Sequence, residues 1–253
     1  MSERIRRSEP APGVALLTIA RPDKLNAMDE QFFAELTAVM RSLGADDGIR
    51  AAVLTGEGRA FSAGGDVATF LDLAGDVSRV RPHLRRVVDA FTSVERCAVP
   101  VVAAVNGIAF GGGTELVLAC DVVLAAESAR FALKEPTMGL MPTYGIVRGP
   151  EVMGRNWTRL LAFTGREIPA GVAERIGLVQ EVHPDGELLG AAVALAAGMA
   201  AHSPLAVQVA KAFLNRDAGG GFAESTEATA LLFASPEHRA AAAAFDARRG
   251  DRP

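Results

Sequence analysis

The chain has 253 residues, 49% of them hydrophobic and 22% charged, enough to bury a large core within a single domain. A formal charge of -4 lacks the basic footprint of a duplex nucleic-acid binder, so nucleic acid is not an expected partner. Cys97 and Cys120 form no CxxC pair, which points to neither a disulfide framework nor a zinc site; no metal is expected, and a reducing cytoplasm fits.

No apolar run follows the N-terminal MSERIRRSEP, as a secretory signal would require. The apolar stretches VVAAVNGIAF and AAVALAAGMAA are broken or too short to span a bilayer, so the expectation is a soluble cytoplasmic protein without a membrane partner. In chain order, VALLTIA at 14–20 reads as a buried strand. Asp29 then caps a helix over 30–43, with Phe32, Phe33, Leu36, Val39, Met40 and Leu43 on one face and Gly44 ending it. AAVLTG at 51–56, VVAAV at 101–105 and DVVLAA at 121–126 read as further strands, which suggests an α/β core. From Pro142 onward helical patterns dominate, at 145–153, 156–163, 169–176, 185–201, 204–215, 222–233 and 236–249, predicting an all-helical layer or arm. DAGGGF at 217–222 reads as a flexible connection between helices.

Two glycine segments carry chemistry. In RAFSAGGDV at 59–67, Gly64 and Gly65 let a ligand approach the main chain, while an ordinary strand-to-helix turn capped by Asp66 is the plainer alternative. In VNGIAFGGGTELVLACD at 105–121, three glycines precede a short helix expected to begin near Thr114, aiming unpaired N–H groups at whatever sits above it. Phosphate is the obvious rival ligand, but Glu115 would repel it and neither GxxxxGK[ST] nor GxGxxG is present.

AFSAGGD and NGIAFGGGTEL, followed by FALKEPTMGLMP and GREIPAGVAERIGLV, together resemble the enoyl-CoA hydratase/isomerase (crotonase) family over roughly residues 12–250. The resemblance implies an α/β crotonase (ClpP-like) superhelix of ββα units with two roughly perpendicular sheets and a helical C-terminal region. It divides the chain into a core at 1–190 and a helical trimerisation region at 191–253, in a homotrimer or a homohexamer of two trimers. The implied substrate is an acyl thioester of coenzyme A, with coenzyme A entering as part of that substrate and no permanently bound cofactor. The implied oxyanion hole is the pair of backbone amides of Gly65 and Gly112, and one such donor is worth about 3 kcal/mol of transition-state stabilisation. Glu115 matches the first catalytic glutamate and Glu135 the second. By analogy Glu115 activates water, Glu135 is the acid at the α-carbon, and burial raises both pKa values.

For coenzyme A, the resemblance places the backbone of Ala63 against the adenine. The loop DKLNAM at 23–28 lies near the ribose and phosphates, with Lys24 as phosphate partner and Leu25 and Asp66 beside them. Phe245 and Arg248 match a Phe-x-x-Lys spacing that reaches the coenzyme A of a neighbouring subunit, and one helical turn puts both on one face.

Two departures stand out: Lys134 occupies the place before the second glutamate where most hydratase relatives carry proline, and MPTYGI at 141–146 replaces a more glycine-rich turn. Tyr144 and Met141 are therefore expected to line the acyl pocket rather than fill core. Ser62 sits in AFSAG, short of the GxSxG nucleophile elbow, and His83, His183, His202 and His238 read as surface or capping residues. Hydration of a 2-enoyl-CoA is the leading expectation, with double-bond isomerisation, non-catalytic acyl-CoA binding and hydrolysis through Ser62 as rivals.

Overall fold

The computed structural model describes residues 3–215 and 222–250. Strands β1 (Ile5–Ala11) and β2 (Val14–Ile19) form an antiparallel hairpin around Gly13, whose φ of 73° suits glycine. β1 is an edge strand with exposed residues over most of its length, so it lacks the apolar run that marks an interior strand. Helix α1 (Glu30–Gly44) starts at Asp29, whose carboxylate accepts from Phe32 N at 2.9 Å, a cap worth about 1 kcal/mol. It runs one residue beyond the expected end: Gly44 is still helical and Ala45 is the cap.

A repeated unit follows. β3 (Ala51–Gly56) and β4 (Ala60–Ser62) lead through α2 (Val67–Leu73) and α3 (Val77–Glu95) to β5 (Val101–Val105) and β6 (Ile108–Phe110). Helix α4 (Gly112–Leu118) then leads to β7 (Val122–Ala126) and β8 (Arg130–Ala132). In each unit the first strand joins one sheet and the second joins another, as the ββα pattern requires. β3 is buried at all six positions because β2 and β5 pair with it in parallel on either side, which is why it reads as an unbroken apolar run.

The second half is not all helical. Between α5 (Gly145–Val152), α6 (Gly154–Thr164) and α7 (Ala170–Arg175) lies the two-residue β9 (Ile168–Pro169), and β10 (Glu181–His183) follows. β10 is drawn into the sheet by the open edge of β7, and Gln180 reinforces the junction by donating from its N and accepting from Val123 N. The sheets are therefore β1-β2-β3-β5-β7-β10 and β4-β6-β8-β9. Helix α8 (Leu188–Ala200) lies across β2, β3, β5 and β7, with Leu188, Ala192, Ala196 and Ala200 in the main core; a boundary at residue 190 thus falls inside an element of that core. α9 (Pro204–Leu214), α10 (Phe222–Phe233) and α11 (Pro236–Gly250) complete the chain, and the connection expected at 217–222 lies, up to residue 221, outside the described residues. Among the described residues no single helix is long and apolar enough to cross a membrane.

Two hydrophobic clusters result. The larger fills the space between the main sheet, α1, α4 and α8. The smaller joins Leu73, Val80 and Leu84 of α2 and α3 to Leu140, Ala230 and Phe233, so that α10 and α11 cover what lies beneath.

Candidate active site

β4, β6 and β8 are parallel neighbours in the smaller sheet, so the chain leaves all three at the same end. Ala63–Gly65 follows β4, Gly111–Gly113 follows β6, and Lys134–Glu135 follows β8, which gathers segments far apart in sequence at one rim. They line a cavity of about 500 Å3 whose walls are mainly apolar, among them Met28, Phe70, Ile108, Leu140 and Met141.

The glycines are needed for contact rather than for freedom alone. A Cβ on Gly64, at φ 97°, would lie 2.7 Å from Phe110 O, and one on Gly112 would meet the Met28 methyl at 2.7 Å and Gly65 N at 3.8 Å. Phe70 lies directly on the Gly65 α-carbon. Gly65 and Gly112 are thus neighbours, and neither N–H donates to a partner among the described residues. The α4 helix begins at Gly112, two residues earlier than expected, because Gly111 at φ 52° makes the whole turn; Thr114 is buried inside it, 2.6 Å from Ala109 O. Two adjacent open N–H groups can share a negative charge forming between them.

Glu115, in the first turn of α4, accepts at Oε1 from the amides of Tyr144 and Gly145, both at 2.8 Å. Burial pushes its carboxyl up to about 7, while those two amides favour the charged form. Glu135 opens a short 3-10 turn (Glu135–Met138), and its Oε1 is packed so closely on Gly111 that a Cβ there would lie 2.9 Å away. Its Oε2 is buried without a hydrogen bond among the described residues. Burial first, and the charge of Glu115 second, push it well above the usual carboxylate range. The pair is therefore graded: two amides favour the charged form of Glu115, and no hydrogen bond does so at Glu135 Oε2.

The loop behind this rim is stapled. Leu25 and Asn26 both sit at positive φ, at 51° and 57°, an unfavourable conformation that the surroundings hold in place. The Asn26 side chain donates to Glu57 O and Ala60 O and accepts from Arg21 N, while Ser62 Oγ donates to Asn26 O. Ser62 is fully buried in this role and is no nucleophile. Leu25 lines the cavity and its carbonyl accepts from Ala63 N at 2.9 Å, so only the carbonyl of Ala63 is left for a ligand.

Other expected positions fall differently. Lys24 is exposed, outside the cavity wall, and makes no ion pair among the described residues. The Asp66 carboxylate caps α2 through Ala68 N and pairs with Arg21 at 2.5 Å, which ties it into the fold at this rim. Phe245 lines this chain's own cavity, and the Arg248 side chain lies outside the described residues. Tyr144 is a correction too: its ring is buried against Phe91 and its hydroxyl donates to Glu95, which Arg148 also holds. Its backbone, not its side chain, serves the site, whereas Met141 does line the cavity. Lys134 pairs with Glu167 at 2.9 Å and lies over the Phe110 ring at the cavity wall. His83 and His238 are buried rather than on the surface: His83 bonds Glu30 and lines the cavity, and His238 packs on Phe233 and donates to Met138 O at 2.7 Å. Their burial arises from distant packing partners and leaves no mark in the local sequence. Among the described residues no His, Cys, Asp and Glu cluster could hold a metal.

Residues 9–247 match the enoyl-CoA hydratase/isomerase family. A 2,3-dehydroadipyl-CoA hydratase of Escherichia coli (strain K12) is 37% identical over 243 residues, which covers 93% of both chains. A mitochondrial Delta(3,5)-Delta(2,4)-dienoyl-CoA isomerase of Homo sapiens is also 37% identical, over 88% of this chain and 72% of its own. The crystal structure of an enoyl-CoA hydratase/isomerase from Mycobacterium paratuberculosis superposes with a TM-score of 0.90 at 30% identity, covering 96% of this chain and 99% of its own.

Proposed function

Since the chain belongs to the enoyl-CoA hydratase/isomerase family and has the crotonase fold, we propose that it is an enoyl-CoA hydratase, adding water across the 2,3 double bond of the thioester. The observation that carries this is the graded pair of carboxyls beside two open backbone N–H groups. The thioester oxygen sits between the N–H groups of Gly65 and Gly112. Glu115, as carboxylate, takes a proton from water while the water oxygen bonds to the β-carbon and the double-bond electrons move through the α-carbon onto the thioester oxygen. Glu135 then gives its proton to the α-carbon as the carbonyl re-forms, and the proton on Glu115 passes to Glu135 to restore the starting state. Hydration needs a base and an acid; burial raises both carboxyls, and the two amides on Glu115 set the base apart from the acid.

Coenzyme A enters as part of the substrate, with Leu25 and the Ala63 carbonyl beside it, Lys24 at the phosphates, and Phe245 at the cavity wall. The assembly that goes with this reading is a homotrimer or a pair of trimers. Leu205, Phe213 and Leu214 of α9, exposed here, are side chains such an assembly would cover, and sedimentation velocity tests it.

A second reading, double-bond isomerisation, draws support from the human dienoyl-CoA isomerase at the same 37% identity and from Lys134 before Glu135. Isomerisation moves one proton along the chain and uses no water. Turnover of crotonyl-CoA in water enriched with heavy oxygen decides: hydration puts the label on the β-carbon. A product with a displaced double bond and no label gives the isomerase, and no product from any unsaturated ester overturns both.

A further inference from the structure

His83, on α3, is 3% exposed and lines the same cavity as the carboxylate pair. Its ring meets Phe33 edge-on, Phe33 meets Phe91 and Phe91 meets Tyr144, with centroids 5.9, 6.1 and 5.5 Å apart. Two aromatic rings therefore separate His83 from the residue whose amide holds Glu115.

The imidazole is held in one tautomer. Its Nδ1 faces Glu30, which also accepts from Arg86 at 2.7 and 3.0 Å. Burial pushes the Glu30 carboxyl up, but the hydrogen bonds from Arg86 and His83 outweigh it and keep the group ionised. An ionised carboxylate only accepts, so Nδ1 carries the proton. Burial also holds His83 below the usual imidazole range in spite of Glu30, which leaves a neutral ring with a bare lone pair at Nε2. That atom makes no hydrogen bond among the described residues. The sealed, partnerless side-chain atoms among them are those of Thr92, Glu135 and His238, so His83 Nε2 stands open to the cavity.

A purely alkyl chain filling this cavity would strip water from that lone pair and return nothing. We propose that His83, fixed by Glu30, recognises an oxygen function able to offer a proton, a hydroxyl or a carboxyl group, at the far end of the acyl chain. The inference rests on the acyl-CoA reading for what fills the cavity.

Calorimetric binding of saturated acyl-CoA esters of equal length, ending in methyl, hydroxyl or carboxyl, tests it without any turnover. The wild-type protein is expected to bind one polar-ended ester about tenfold more tightly than the alkyl ester. His83→Phe abolishes the preference, and His83→Gln, whose amide oxygen can accept again, recovers part of it. Proton uptake, read from the dependence of the heat on the buffer, marks a carboxylate that converts His83 to its charged form; its absence marks a hydroxyl, and either result supports the proposal. Should His83→Phe not fold, Glu30→Gln on the half-exposed side frees the tautomer and reduces the preference. Equal or tighter binding of the alkyl ester by the wild type, or a preference undiminished in His83→Phe or Glu30→Gln, overturns it. If no ester binds, the acyl-CoA reading falls and takes the proposal with it; if the preference is found but unsaturated esters are not turned over, the hydratase reading alone falls.

Discussion

The rim of the site and its cover are built on different foundations. Gly64–Gly65, Gly111–Gly112 and Glu115 stand beside the main core, and a carbon added to any of these glycines would come within 2.9 Å of a neighbouring atom. α10 and α11 rest instead on the smaller cluster around Leu84, Leu140 and Phe233. In the first region the Phe110 carbonyl closes on Gly64 and the Phe70, Glu135 and Met28 side chains close on Gly65, Gly111 and Gly112, whereas the second is held by apolar side chains alone. Geometry at the reacting atoms is therefore set where the fold is least deformable, and the enclosure of substrate where it opens most cheaply.

The comparison is broken most severely at the carboxylates. Glu115→Gln keeps the shape but cannot take a proton, and kcat for crotonyl-CoA is expected to fall about 1000-fold with KM little changed. Stopped-flow absorbance of the conjugated thioester measures this, and a fall under tenfold would remove Glu115 as the base. Gly111→Ala tests the rim from the backbone: the new methyl meets Glu135 Oε1 at 2.9 Å and φ is 52°, so kcat is expected to drop about 100-fold with both carboxylates still present. An unchanged rate would show that the contact does not position Glu135.

A gentler probe is pH. With Glu115 raised to about 7, its basic form is lost as pH falls, so kcat/KM declines about tenfold per unit well below pH 7. Glu135, raised well above the usual carboxylate range by burial and by the charge of Glu115, loses its acid form as pH rises, and activity falls again as pH passes through its pKa. A profile flat from pH 5 to 8 would contradict the graded pair. On the cover, Phe233→Ala removes a ring buried against Phe70 and loosens the small cluster by about 3 kcal/mol. The expected result is faster amide exchange in α10 and α11, unchanged exchange in β5 and α4, and a rise of a few fold in KM. Equal acceleration in both regions would show that they unfold as one.

The two foundations also differ in how plainly the sequence announces them. β3, β5 and β7 are legible because strands paired on both sides are apolar throughout, and α1 because its apolar stripe and Asp29 cap are local. β4, β6 and β8 span three residues each, too short to show a strand pattern, although they place the whole rim. α3 is a long helix with a buried stripe through Val80, Leu84, Val87, Phe91 and Val94, yet Pro82 and a run of arginines mask it. In the site, the motif positions of Gly65, Gly112, Glu115 and Glu135 could be named from pattern. The grading of the two carboxyls could not, because the amides that hold Glu115 come from residues 144 and 145 and the atoms crowding Glu135 from residue 111. His83 reads as a surface or capping residue for the same reason: its partner Glu30 is 53 residues away.

Phe70 touches both foundations, lying on the Gly65 α-carbon on one side and edge-on to Phe233 on the other. For a lineage of such chains this makes position 65 a locked door. A side chain there meets the Phe70 ring, which must then shift or shrink, and either change disturbs its edge-on contact with Phe233 in the cover. Variation in substrate choice is then steered toward the walls supplied by α3 and the C-terminal helices, while the pair of amides passes from one specificity to the next untouched.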